Sequence, residues 1–89
     1  MIPKSEVRTK KWLTKNGFDF IRAGRSWGLF DFIALRKDAL WLIQAKCSQG
    51  PRSAEMSRLI AFNNYPSYGK KWVFLWKHYK REPIMKEVK

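Results

Sequence analysis

The chain predicts an α/β fold in the order α-β-β-β-α-β, a mixed sheet flanked by helices. Three features carry that expectation. Two apolar runs, 29–35 and 40–45, flank a short polar break at Lys37-Asp38, the pattern of a hairpin. A helical stripe follows, with Met56, Leu59, Ile60 and Asn63 at i, i+3, i+4 and i+7. Then Trp72-Val73-Phe74-Leu75-Trp76 is apolar at every position, as suits a strand covered on both faces. The 89 residues are expected to form a single domain, 1–89. A chain of that size buries about 60% of its unfolded surface, enough for a modest core.

Taken in order, Ser5 reads as the N-cap of a first helix over residues 6–16, with Glu6 in the first turn where the helix dipole favours an acid. Thr9, Trp12 and Leu13 form its apolar stripe. Asn16-Gly17 supplies the left-handed residue that ends it. Phe18 to Ala23 alternates as a short strand, and Gly24 to Gly28 is a glycine-flanked loop. Leu29–Arg36 and Leu40–Lys46 are the two hairpin strands. Ser48 to Arg52 is a loop, and Ser53 caps the second helix. Pro66 and Gly69 break the chain before the apolar strand, which is expected to run parallel with a neighbour. Residues 78–89 are basic and polar and read as an edge strand or a loose tail.

Charge narrows the partners. Nineteen Lys and Arg against seven Asp and Glu give +12, which attracts polyanions at long range. Nucleic acid fits better than a membrane surface, because the basic residues are spread along the chain and not gathered on one amphipathic helix. No run approaches the ~20 apolar residues of a membrane span. The one cysteine, Cys47, excludes an internal disulfide. With no apolar stretch of signal-peptide length at the start, the chain reads as cytoplasmic.

The polar residues inside the apolar runs are the costly ones. With the turn centred on Lys37-Asp38, Leu35 faces Leu40, Ile33 faces Leu42 and Asp31 faces Gln44. Opposed residues have Cβ atoms ~4.5–5.5 Å apart, and Lys46 lies two residues further on the same face. An odd slip of register would scatter the cluster but would also invert the apolar pattern. Pattern therefore predicts a carboxylate, an amide oxygen and an ammonium at one spot. Mg²⁺ or Mn²⁺ takes such oxygens, with the Ala45 carbonyl and substrate phosphate completing the set. Lys46 would orient the attacking water and balance phosphate charge. The alternative is an Asp31–Lys46 ion pair that only closes one end of the sheet.

The ordered set of features resembles the PD-(D/E)XK nuclease superfamily, and within it the archaeal Holliday junction resolvases. The matching features are Glu6; Gly17-Phe18 through Arg22; Ser26 with Gly28; Asp31; Gln44-Ala45-Lys46; a helix from about Ser53; and Trp72–Trp76. The resemblance implies a restriction-endonuclease-like αβββαβ core. It implies Asp31 as the main metal ligand, Gln44 as the second and Lys46 as the catalytic lysine. Glu6 would add a metal or water contact, and Ser26 would stand near the scissile phosphate. The implied activity is Mg²⁺-dependent hydrolysis of phosphodiester bonds in DNA, branched DNA above all, in recombination and repair. Cutting both strands of a junction implies a homodimer. Two positions depart from the pattern: Gln44 stands for Glu or Asp, which weakens metal binding, and Phe30 stands for the proline before Asp31.

Other residues have two readings. Arg22, Arg25, Ser26, Lys10, Lys11, Arg52 and Arg58 are candidate DNA contacts, with Lys15, Lys70 and Lys71 as phosphate contacts or solvated side chains. Trp27 is a stacking side chain or local packing. Cys47 and the Trp-rich strand read as packing, and His78 as surface. Two rivals to the nuclease remain: a DNA-binding module on the same fold with a decayed site, and a small basic RNA-binding protein.

Overall fold

A computed structural model describes residues 4–23 and 29–89. Helix α1 spans Lys4–Lys15 and buries Ser5, Thr9 and Leu13, four residues apart on one face. Ser5 is therefore inside the helix and not its cap: its carbonyl accepts the Thr9 hydroxyl at 2.7 Å. Glu6 does lie in the first turn. The helix ends as its sequence requires. Gly17 takes φ +79°, its N–H donates to Thr14, and the Phe18 N–H donates to Leu13, which together satisfy the last carbonyls.

Five strands follow: β1 Asp19–Arg22, β2 Phe32–Arg36, β3 Ala39–Cys47, β4 Gly69–Trp76 and β5 Ile84–Val88, with α2 Ser53–Ala61 between β3 and β4. They form one mixed sheet in the order β1-β2-β3-β4-β5. Only β3 and β4 run parallel. Strand β5 resolves the two readings of the C-terminal segment in favour of an edge strand, antiparallel to β4. Hairpin register matches expectation, with Leu35 opposite Leu40 and Ile33 opposite Leu42.

Several boundaries differ from the sequence reading, those at β2, α2 and β4 with a physical cause. Strand β2 begins at Phe32 and not at Leu29, because Asp31 leaves the ladder. Its N–H donates to the Ile43 carbonyl at 2.8 Å although Phe32 already faces Ile43. Two residues on β2 then oppose one on β3, as in a bulge. Helix α2 is capped by Arg52 and not by Ser53, and the Glu55 carboxylate accepts the Arg52 N–H at 3.4 Å. Within the predicted stripe Leu59 is buried, but Ile60 is 52% exposed and Asn63 lies beyond the helix end. Strand β4 starts early, at Gly69, where a side chain would meet Tyr65 at 3.0 Å and the Pro66 carbonyl at 3.1 Å.

Two cores sandwich the sheet. On the α1 side Leu13 and Phe18 pack on Phe32, Ala34, Ile43, Phe74 and Trp76. On the α2 side Leu59 packs on Phe30, Leu42, Val73 and Val88. Apolar residues on both faces of β4 thus have partners, as its unbroken hydrophobic run requires.

Candidate metal and phosphate site

The α2 side of β3 carries Gln44 and Lys46, because alternate residues of a strand share a face. Gln44 is 7% exposed. Its side-chain N–H₂ donates to Glu55 Oε2 at 3.4 Å, and its Oε1 is buried without a donor. Lys46 Nζ donates to the same Glu55 oxygen at 2.8 Å. This pairing sets the amide orientation of Gln44, since the carboxylate must meet the NH₂ end. Asp31 lies at the end of β2. Its Oδ2 accepts the Ala45 N–H at 2.8 Å, replacing the strand carbonyl that the bulge displaces. The carboxylate thus sits beside the backbone of the residue that follows Gln44.

Electrostatics single out Asp31. Burial raises its pKa above 3.8, and repulsion by Glu6 adds to the rise. The Ala45 N–H, Lys46 and Arg22 pull the other way without cancelling it. Burial thus outweighs the nearby cations at this carboxylate. Glu6 reaches the neighbourhood from α1 and accepts Arg22 Nη2 at 2.7 Å.

The structure brings Gln44 and Lys46 together at Glu55, whereas Asp31, expected opposite Gln44, leaves the ladder and meets the Ala45 N–H instead. The Asp31–Lys46 ion pair does not form: Lys46 pairs with Glu55, and Asp31 binds the Ala45 N–H. The sequence reading missed Glu55, third residue of α2. Its position in a first helical turn has a sufficient local explanation in the dipole and the cap, which hid its reach to β3. The only sequence cue is an acid in the helix that directly follows the Gln-x-Lys strand.

The basic residues divide. Arg22 is tied to Glu6, while Arg52 and Arg58 are exposed on or next to α2. Lys11 is exposed and Lys10 half-buried on α1. Lys71 is not a phosphate contact: it is 2% exposed, and its ammonium donates to the carbonyls of Leu59, Ile60 and Phe62. Cys47 is exposed rather than packed, and His78 is exposed. Arg25, Ser26, Trp27 and Gly28 lie outside the described residues.

Among the described residues no three His, Cys, Asp or Glu side chains gather as a cation site by themselves. A Mg²⁺ ion needs fewer: one or two carboxylates with substrate phosphates and waters suffice. The donorless Gln44 oxygen and the half-buried Asp31 carboxylate are the chemical types such a partial set uses. No helix among the described residues is long and apolar enough to cross a membrane. No protein-family model, curated protein or solved structure matches the chain.

Proposed function

We propose that the chain is a small metal-dependent endonuclease that hydrolyses phosphodiester bonds in DNA, of the PD-(D/E)XK kind and with a preference for branched substrates. The observation that carries this reading is the buried Gln44 Oε1, left without a donor on the residue before Ala45, whose N–H donates to the half-buried Asp31 carboxylate. A buried acceptor without a partner costs about 1–3 kcal/mol, which a cation or its water would offset. Asp31, Gln44 and the Ala45 carbonyl would hold Mg²⁺ or Mn²⁺, with phosphate oxygens of the DNA. Such an ion acidifies a bound water and draws charge from the phosphoryl group. Lys46 stands ready to donate to a phosphate oxygen as charge builds there. Glu55 steadies the Lys46 ammonium and the Gln44 amide together. Cleavage of both strands of a junction requires two such centres, hence a homodimer.

A Mg²⁺/Mn²⁺ cleavage assay on duplex, single-stranded, flap and four-way junction DNA tests the reading. Cleavage is expected from the wild type and its loss is expected from Asp31→Ala and from Lys46→Ala, with circular dichroism unchanged. Full cleavage by either variant removes the mechanism.

A second reading has its own support. Lys46 is already committed to Glu55, and Gln44 adds no charge, as in a nuclease fold that binds DNA without cutting it. Gln44→Glu separates the two. If the substitution creates metal-dependent cleavage in a wild type that has none, the natural chain is the binding module.

A further inference from the structure

The opposite layer of the molecule holds a groove of about 320 Å³ between α1 and the turn that links β4 to β5. Arg8, Lys11 and Lys15 line it from one face of the helix, at i, i+3 and i+7, and Arg81 closes it from the turn. Glu82 is the one acid on the rim. Four cations against one anion leave a local charge of +3.

The groove is rigid where it must be and free where it must be. Arg8 is structural: its guanidinium lies over the Trp76 ring at 4.6 Å and donates to the Lys77 carbonyl at 3.2 Å and to that of Lys80. Beneath it the Trp76 indole donates to Thr9 Oγ1 at 2.8 Å. These contacts tie the turn to the helix. Lys11, Lys15 and Arg81 are exposed, and neither ion pair among the described residues involves them. Their charge is therefore available to an outside partner.

The geometry points to this groove as a seat for the sugar-phosphate backbone of DNA, on the layer opposite Gln44 and Lys46. A membrane surface fits poorly. Interfacial helices insert an apolar face into lipid, whereas the apolar face of α1, with Thr9 and Leu13, is already packed on the sheet. What α1 offers outward is a row of cations across a concave surface, the arrangement that positions a phosphate backbone without reading bases. The inference rests on the DNA-binding half of the preceding proposal and not on cleavage.

The test is a fluorescence-anisotropy titration of the intact protein with labelled duplex DNA in EDTA over a range of salt. Each phosphate contact contributes about 0.9 to the slope of log K against log salt. Lys11→Gln/Lys15→Gln/Arg81→Gln should lower that slope by about 2 to 3. A control with equal charge loss elsewhere, Lys37→Gln/Lys86→Gln/Lys89→Gln, should leave it within about 0.5 of the wild type. Single Lys15→Gln and Arg81→Gln variants, each expected to remove about 0.9, read the same effect if the triple variant folds poorly. Equal slopes for groove and control variants overturn the inference. So does wild-type binding to phosphatidylserine vesicles with no binding to the duplex. EDTA suppresses metal-dependent cutting, so a failed nuclease assay leaves this result standing.

Discussion

Asp31 and Glu55 are both acids, yet their surroundings push them in opposite directions. Burial holds the Asp31 carboxyl above 3.8, so ionising it costs folding free energy as pH rises through the raised value. Glu55 is held below 4.5, chiefly by the hydrogen bond from Lys46. Its contribution is therefore present in full above about pH 4.5 and is lost as pH falls through the lowered value. The two acids oppose each other on the acid side, and substitution separates them. Glu55→Gln should be less stable than wild type near neutral pH, and the gap should close as pH falls below the ordinary glutamate range. Urea midpoints across that range read the gap directly. A gap that stays constant with pH would mean that the Lys46 contact adds nothing to folding.

At the level of elements, α2 is short, and much of what places it comes from a distant lysine. Lys71 in β4 reaches under the helix end and donates to Leu59 at 2.6 Å, Ile60 at 3.0 Å and Phe62 at 2.8 Å. These are carbonyls at the end that a helix leaves unsatisfied, and a cation there also suits the dipole. Burial lowers the Lys71 pKa, but the three acceptors compensate the ammonium in place. Lys71→Met keeps the apolar stem and removes the donors. We expect a loss of about 1–3 kcal/mol in urea unfolding, with fraying of α2 seen in amide exchange at 59–63. Unchanged exchange there would show that apolar packing alone places the helix. Nothing in the sequence distinguishes Lys71 from its exposed neighbour Lys70, because strand alternation gives opposite faces but not which face has carbonyls to meet. The hairpin was legible for the opposite reason: its register follows from a two-residue turn and an apolar pattern that a slip would invert. The bulge at Asp31 was not, since a side-chain oxygen standing in for a strand carbonyl leaves no trace in hydrophobic periodicity. The strand at 84–88 was ambiguous because an edge strand needs only one apolar face, and its residues alternate weakly.

For the whole molecule, the opposing quantities are a net charge of +12 and a half-buried carboxylate at Asp31 whose charged form burial penalises. The global field disfavours a divalent cation, while the Asp31 carboxylate and the Gln44 oxygen favour one at a single place. Folding reports which prevails, because a ligand that binds only the native state stabilises it by RT ln(1 + [L]/Kd), about 2.7 kcal/mol at one hundred times Kd. Mn²⁺ should therefore raise the melting temperature of the wild type near pH 7.5 and leave Asp31→Asn unmoved. The shift should shrink as pH falls toward the raised Asp31 value, since the proton and the metal compete for one carboxylate. Gln44→Glu should enlarge it, because a carboxylate binds a hard cation better than an amide does. DNA, by screening the surrounding lysines, should enlarge it again in the wild type. The site is absent if Asp31→Asn responds to Mn²⁺ as the wild type does, for then the ion stabilises through general surface binding and Asp31 is only the acceptor for the Ala45 N–H.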